Sequence, residues 1–249
     1  MFPYKDENPT YLTPVVTIGI IAVNVLTWLL VQGAGTHEAL TRSVCDLGAI
    51  PGELLSRVPP GTRVNLGPDV QCVIGEPNYL DVLSSMFLHG GWMHLIGNML
   101  FLWVFGNNIE DAMGHGRFVV FYVVCGVAAA AAQVLVRPES PIPMVGASGA
   151  ISGVLGAYLL LYPKVRVHTL IFFGFYATTI QLPAYVMLGY WIVLQFLGGL
   201  LSGVERGGVA YMAHIGGFVA GLVLIRLFAR ADYLSRRPVH TAEYLRLGG

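Results

Sequence analysis

Apolar residues run through this chain in six long stretches, each of which passes about twenty residues with almost no charge. The hydrocarbon core of a bilayer is about 30 Å thick, and within it only a helix or a closed barrel satisfies its own backbone hydrogen bonds. The pattern therefore predicts six transmembrane helices. The stretches are Pro14–Val31, Val82–Phe105, Phe118–Val136, Met144–Tyr162, a segment within Thr169–Ser202, and Val209–Leu227.

The fifth stretch, Thr169–Ser202, is too long for one upright helix and too short for two helices with a turn between them. Pro183 falls where a helix would naturally begin. We predict one span that starts near Pro183 and is preceded by a segment at the membrane interface.

Composition agrees with a membrane protein, because 55% of the residues are hydrophobic, 11% are charged and the mean hydropathy is +0.66. Soluble domains carry about 25% charged residues. Fourteen basic and fourteen acidic residues cancel, so no overall field favours a nucleic-acid partner. We expect an all-α bundle in one domain, residues 1–249, with no cofactor. The polar start, Met1–Thr13, precedes an apolar run without a small-residue cleavage site, which favours a retained span over a signal peptide.

The distribution of lysine and arginine predicts the orientation, since cytoplasmic loops hold the excess. Six spans place both termini on one side, which we assign to the cytoplasm. The exterior then contains a first loop at about 32–80, and the cytoplasm a tail at about 229–249. The predicted cytoplasmic side holds Lys5, Arg117, Lys164, Arg166, Arg226, Arg230, Arg236, Arg237 and Arg246, and the exterior holds Arg42, Arg57, Arg63, Arg137 and Arg206.

Polar residues that could take part in catalysis recur early in the second, fourth and sixth spans. These three spans all run from outside to inside in this topology. Ser148 is a candidate nucleophile, and His214 is a candidate base because the reference pKa of histidine is about 6.5. His94 and Asn98 lie four residues apart, so they share a helix face and can donate to one oxyanion. The Ser148 backbone N–H, at a helix start, is a third candidate donor.

Taken singly, each of these residues is more simply structural. A serine in a membrane helix usually bonds its own i−4 carbonyl, and a lone histidine or asparagine often links two helices. Their coincidence at one predicted depth favours a functional site. Two small-residue patterns, Gly149-x-x-x-Gly153 and Gly217-x-x-x-Gly221, further predict that the fourth and sixth helices are neighbours.

At these positions the sequence resembles the rhomboid family of intramembrane serine proteases. The resemblance rests on several motifs together and covers most of the chain. The motifs are Phe87-Leu88-His89-Gly90-Gly91-Trp92-Met93-His94-Leu95-Ile96-Gly97-Asn98, Gly106-Asn107-Asn108-Ile109-Glu110, Gly146-Ala147-Ser148-Gly149 and Ala213-His214-Ile215-Gly216-Gly217. The opening residues 2–10 also resemble bacterial members.

The resemblance implies a catalytic dyad of Ser148 and His214 without a third acid, with His94 and Asn98 helping to bind the oxyanion. It gives His89 a supporting structural role. It also implies that the protein hydrolyses a peptide bond in or near the outer end of the transmembrane helix of single-pass substrates. The protein itself would be a multi-pass protein of the inner cell membrane. One departure is Ser152, because some members have there a tyrosine whose ring packs on the histidine.

Cys45 and Cys72 both lie in the predicted exterior loop. An oxidising compartment would allow a disulfide that closes about 27 residues and contributes about 3 kcal/mol in a chain-entropy model. Spacing alone fixes no geometry, so pairing and free thiols both stay open. Cys125 is expected to be a small buried residue of the third helix.

Other classes of function fit the sequence less well. A transporter would also show polar residues at depth, such as Gln133 and Gln195, but no inverted half-repeat is evident. An inactive relative would lack the serine or the histidine. A metalloprotease is disfavoured, because the chain has no H-E-x-x-H motif and His89 and His94, five residues apart, share a helix face poorly. No metal site is predicted, and the oligomeric state and the physiological substrate stay open.

Overall fold

The protein is mostly helical in the computed structural model, which describes residues 1–67, 70–174, 176–201 and 209–235. Most of the predicted tail, residues 236–249, lies outside that part. The helices are α1 (Val15–Leu30), α2 (His37–Leu47), α3 (Pro51–Leu54), α4 (Asp81–Ser84), α5 (Trp92–Phe101), α6 (Asn107–Met113), α7 (His115–Val136), α8 (Ser148–Leu161), α9 (Ala184–Leu201), α10 (Tyr211–Phe228) and α11 (Ala231–Leu234). The strands are β1 (Phe2–Asp6), β2 (Arg63–Gly67), β3 (Val70–Val73), β4 (Arg166–Phe173) and β5 (Tyr176–Pro183).

The expected helical fold is confirmed in the main, but two small antiparallel sheets show that the fold is not all-α. One has the order β1-β4-β5, with Phe2 opposite Leu170 and Arg166 opposite Pro183, and the other pairs β2 with β3. The β4–β5 hairpin is rich in β-branched and aromatic residues and turns at Gly174, whose φ is +60°. It occupies the segment predicted to lie at the membrane interface.

Long apolar helices make this a membrane protein. α7, α9 and α10 are each long and apolar enough to cross a bilayer, and α1 and α8 are shorter apolar helices. The fifth predicted span is confirmed at its start, because α9 begins at Ala184, directly after Pro183. The fourth starts later than predicted, at Ser148.

The second predicted span, Val82–Phe105, is wrong at both ends. Leu88 is extended (φ −92°, ψ 154°), which separates the short helical turns before it from α5, so the long helix begins only at Trp92. A π-helical segment, Leu102–Gly106, then joins α5 to α6, so the helix continues to Met113. His89 consequently lies ahead of the helix, whereas His94 and Asn98 lie in its first two turns.

Helix α8 is central, since every residue from Ala150 to Tyr158 is buried. Its glycines meet those of α10 without intervening side chains. Gly217 lies against the carbonyl of Gly149, and Gly221 against that of Gly153. The predicted contact between the fourth and sixth helices is confirmed. By contrast, α9 buries only Ala184, Met187 and Leu188, and half of its residues are exposed.

Carboxylates fasten the N-terminal part of the chain to this bundle. Glu110, fully buried, accepts hydrogen bonds from the backbone amides of Val16 (2.9 Å) and Thr17 (2.8 Å) and from the Thr17 hydroxyl (2.6 Å). These groups sit at the start of α1, where amides lack intrahelical acceptors. Asp6, at the end of β1, accepts a hydrogen bond from the Tyr158 hydroxyl.

The predicted first loop, residues 32–80, is largely structured. It contains α2, α3 and the β2–β3 hairpin, and a disulfide joins Cys45 of α2 to Cys72 of β3 across 27 residues. Of the two open alternatives, the structure therefore has the disulfide. Cys125 is buried on α7, as expected.

Candidate functional site

Ser148 is the first residue of α8, and the local backbone explains why it follows Gly146. Gly146 has a φ of +129°, a conformation that favours glycine. A Cβ at residue 146 would lie 2.8 Å from His94 Nε2 and 3.3 Å from Ser148 Oγ. The absence of a side chain at Gly146 thus leaves open the space between the Ser148 hydroxyl and the His94 imidazole.

His214 lies in the first turn of α10 and meets Ser148. Its Nε2 atom is 2.8 Å from Ser148 Oγ, although 66 residues separate the two along the chain. The glycine contacts between α8 and α10 place the two backbones close enough for this hydrogen bond. A hydroxyl and an imidazole at this distance can exchange a proton.

His94 and Asn98 face the same space from α5. The Gly90 amide donates to His94 Nδ1 at 3.2 Å, so in neutral His94 the proton lies on Nε2, which points toward Gly146 and Ser148. Asn98 Nδ2 is buried and has no hydrogen-bond partner among the described residues. Two side-chain donors are therefore available next to the serine.

These four side chains line one cavity of about 560 Å³. Besides His94, Asn98, Ser148 and His214, its walls include the extended segment Ile142–Val145 and residues of α9 and α10. The structure thus brings together all four of the residues singled out from the sequence. The volume lies within the range of ordinary ligand pockets.

His89 lies outside the cavity. It is fully buried, its backbone amide donates to Gln32 Oε1, and its carbonyl accepts from Gln32 Nε2, both at 2.8 Å. Its ring stands edge-on to His94, with 5.1 Å between ring centroids. His89 thus packs behind His94 and ties the start of α5 to the end of α1.

Two residues of α9 contact His214 and were not predicted as site residues. Gln195 Oε1 lies 2.8 Å from His214 Nδ1, and the Trp191 ring lies 5.8 Å from the His214 ring between centroids. Ser152 instead donates to the carbonyl of Ser148 at 2.6 Å. The aromatic surface that Ser152 cannot supply therefore comes from Trp191. The sequence signal for Gln195 was the presence of a polar side chain within an apolar helix.

In the part of the chain that the structure describes, no three His, Cys, Asp or Glu side chains are grouped as metal ligands. The side chains of Ser148, His214, His94 and Asn98 bring a hydroxyl, two imidazoles and an amide to the cavity, and these groups suit proton transfer and oxyanion binding.

Comparison with known proteins adds to this geometry. A sequence model of the rhomboid domain matches residues 76–231. Rhomboid protease GluP of Bacillus subtilis is 32% identical over 160 residues, which cover 64% of this chain and 28% of that protein. RHOMBOID-like protein 5 of Arabidopsis thaliana is 32% identical over 163 residues, covering 66% and 48%. Rhomboid protein 1, mitochondrial, of Saccharomyces cerevisiae is 28% identical over 153 residues, covering 58% and 40%. The chain spans less than half the length of these relatives.

Proposed function

Because the chain belongs to the rhomboid family, we propose that it is an intramembrane serine endopeptidase with Ser148 as nucleophile and His214 as base. The observation that carries the proposal is the 2.8 Å contact between Ser148 Oγ and His214 Nε2 inside a cavity that also holds His94 and Asn98. The similarity to a relative named as a protease supports the same reaction.

The reaction follows from these positions. Ser148 Oγ attacks the substrate carbonyl carbon while its proton passes to His214 Nε2. The resulting oxyanion accepts hydrogen bonds from His94 Nε2–H, Asn98 Nδ2 and the Ser148 backbone N–H. Protonated His214 then donates to the leaving amine as the C–N bond breaks. A water molecule, deprotonated by His214, hydrolyses the acyl-enzyme and restores the serine.

The bilayer topology is part of the proposal. We assign six spans to α1, the continuous α5–α6 helix, α7, α8, α9 and α10, with both termini in the cytoplasm and the protein in the inner cell membrane. The Cys45–Cys72 disulfide supports an exterior first loop, since disulfides persist in oxidising compartments. Ser148 and His214 both lie in the first turns of helices that run inward in this topology, which places the cavity in the outer half of the membrane.

The proposed substrates are single-pass transmembrane proteins. A membrane helix keeps its carbonyls in intrahelical hydrogen bonds, so the segment to be cut must unwind before Ser148 can reach it. Glycine and proline weaken helices by about 1 and 3 kcal/mol. Cleavage should therefore favour the outer ends of substrate helices that contain such residues.

Purified protein in liposomes, mixed with a labelled single-pass substrate that carries glycine near its outer end, tests the proposal. We expect one cleavage product from the wild type and none from Ser148→Ala. Ser84→Ala is the matched control, because the Ser84 hydroxyl donates to the Leu47 carbonyl away from the cavity. Undiminished cleavage by Ser148→Ala would rule out the serine mechanism.

A further inference from the structure

We infer that Gln195 of α9 is a positioning residue that sets the tautomer of His214. This inference rests on the proposed function of His214 as the base. Gln195 Oε1 lies 2.8 Å from His214 Nδ1. Gln195 does not line the cavity, so it acts on the reaction only through the imidazole.

The orientation of the Gln195 amide is fixed within α9. Its Nε2 atom donates to the backbone carbonyl of Trp191, one turn earlier, at 3.3 Å. A carbonyl only accepts, so the amide nitrogen must face Trp191 and the amide oxygen must face His214. The group opposite Nδ1 is therefore an acceptor.

That acceptor decides which nitrogen of His214 carries the proton. A neutral imidazole has one N–H, and the Gln195 oxygen keeps it on Nδ1. Nε2 then presents a lone pair to the Ser148 hydroxyl, 2.8 Å away. In the other tautomer Nε2–H would face the hydroxyl and could not take its proton. Once the proton has moved, the same oxygen still accepts from Nδ1–H of the imidazolium.

The contact is neutral, which separates this arrangement from a triad with a carboxylate. Among the described residues, His214 has side-chain hydrogen bonds to Gln195 and Ser148 and to no carboxylate. Trp191, four residues before Gln195 and so on the same helix face, packs on the His214 ring. Helix α9 thus constrains the His214 imidazole at its Nδ1 edge through Gln195 and at its face through Trp191.

Two variants of Gln195 and one control variant test the inference. Gln195→Met keeps the length of the side chain and removes the acceptor, so we expect kcat to fall about 10- to 100-fold with KM unchanged. Gln195→Glu keeps the acceptor and adds a negative charge that favours protonated His214. We expect it to recover most of kcat at alkaline pH and to move the acidic limb of the pH–rate profile to higher pH. Val193→Leu, on the exposed part of α9, is the control and should match the wild type.

The rate at which a fluorophosphonate labels Ser148 separates the positioning role of Gln195 from the proposed protease function. Absence of Ser148-dependent cleavage in the wild type contradicts the proposed function, while slower labelling of Gln195→Met would still support the positioning role. If folded Gln195→Met has the labelling rate and the kcat of the wild type, the inference is overturned. A change of KM alone in this variant overturns it as well. If Gln195→Met does not fold, an unmoved acidic limb in Gln195→Glu overturns it equally.

Discussion

Gly217, three residues after His214 in α10, packs directly on the backbone carbonyl of Gly149, one residue after Ser148 in α8. No side chain separates the two helices at this level. The distance between the hydroxyl and the imidazole therefore depends on a backbone contact that only glycine permits.

Gly217→Ala should reduce both stability and activity. The added Cβ would overlap the Gly149 carbonyl, which belongs to the backbone and cannot rotate away, so the helices must separate. We expect a loss of about 1–3 kcal/mol, the usual cost of overpacking, and a large fall in kcat. Thermal unfolding in detergent and the cleavage rate measure the two effects.

Gly189→Ala is the control, because a Cβ on this α9 glycine meets nothing within 4 Å. It should unfold and cleave as the wild type does. If Gly217→Ala behaved in the same way, close packing of α8 and α10 would not position the site.

Removal of the proposed oxyanion donors, Asn98 and His94, should lower kcat and leave KM unchanged. Asn98 Nδ2 has no hydrogen-bond partner among the described residues, so Asn98→Ala removes no hydrogen bond that Nδ2 donates to them and should change the melting temperature little. We expect kcat to fall about 10²- to 10³-fold, as when other oxyanion donors are removed. His94→Ala should act in the same direction. Losses confined to KM in steady-state kinetics would assign both residues to substrate binding instead.

The Cys45–Cys72 disulfide should stabilise the folded chain without taking part in catalysis. It closes 27 residues, which corresponds to about 3 kcal/mol in the chain-entropy model. Replacement of both cysteines by serine should lower the melting temperature. A reductant should lower that of the wild type and leave the double variant unchanged. Free thiols at both Cys45 and Cys72 in mass spectra of the non-reduced wild type would contradict the structure.

Asp81, in the short helix before α5, should make stability depend on pH. Burial, together with the negative charge of Glu53, raises the pKa of Asp81 above its usual value of 3.8. The folded state thus binds this proton more tightly than the unfolded state, and ionisation of Asp81 destabilises the fold at pH above the raised pKa. The penalty disappears as the pH falls below 3.8, where both states are protonated.

Asp81→Asn should consequently raise the melting temperature at pH 7, and this advantage should shrink toward pH 4. An asparagine can still accept the hydrogen bond that Asn78 now donates at 2.8 Å. Asp46→Asn, at an exposed position, is the comparison and should change little at either pH. A lower melting temperature for Asp81→Asn at pH 7 would show that the charge is instead stabilising.

The sequence was sufficient for the parts of the molecule that depend on a local pattern. Charge-free apolar runs predicted the positions of α1, α7 and α10, and Pro183 predicted the start of α9. The spacing of His94 and Asn98 placed both on one helix face, and the glycine patterns predicted the contact of α8 with α10.

The missed features depend on partners distant in sequence. β1 is a five-residue segment of mixed polarity whose strand conformation comes from pairing with β4, more than 150 residues later. For the β4–β5 hairpin the β-branched residues around Gly174 did carry a signal. The contact of Gln195 with His214 depends on the rotation of α9 about its axis, which apolar composition does not specify.

The central claim is that Ser148 and His214 act as one unit, and a double-mutant cycle tests it most directly. The measurement is the cleavage rate of the labelled transmembrane substrate by Ser148→Ala, His214→Ala and the double variant. If the two residues cooperate in one proton transfer, each single variant loses nearly all activity and the double variant loses no more. Losses that multiply in the double variant, or substantial cleavage by either single variant, would contradict the dyad.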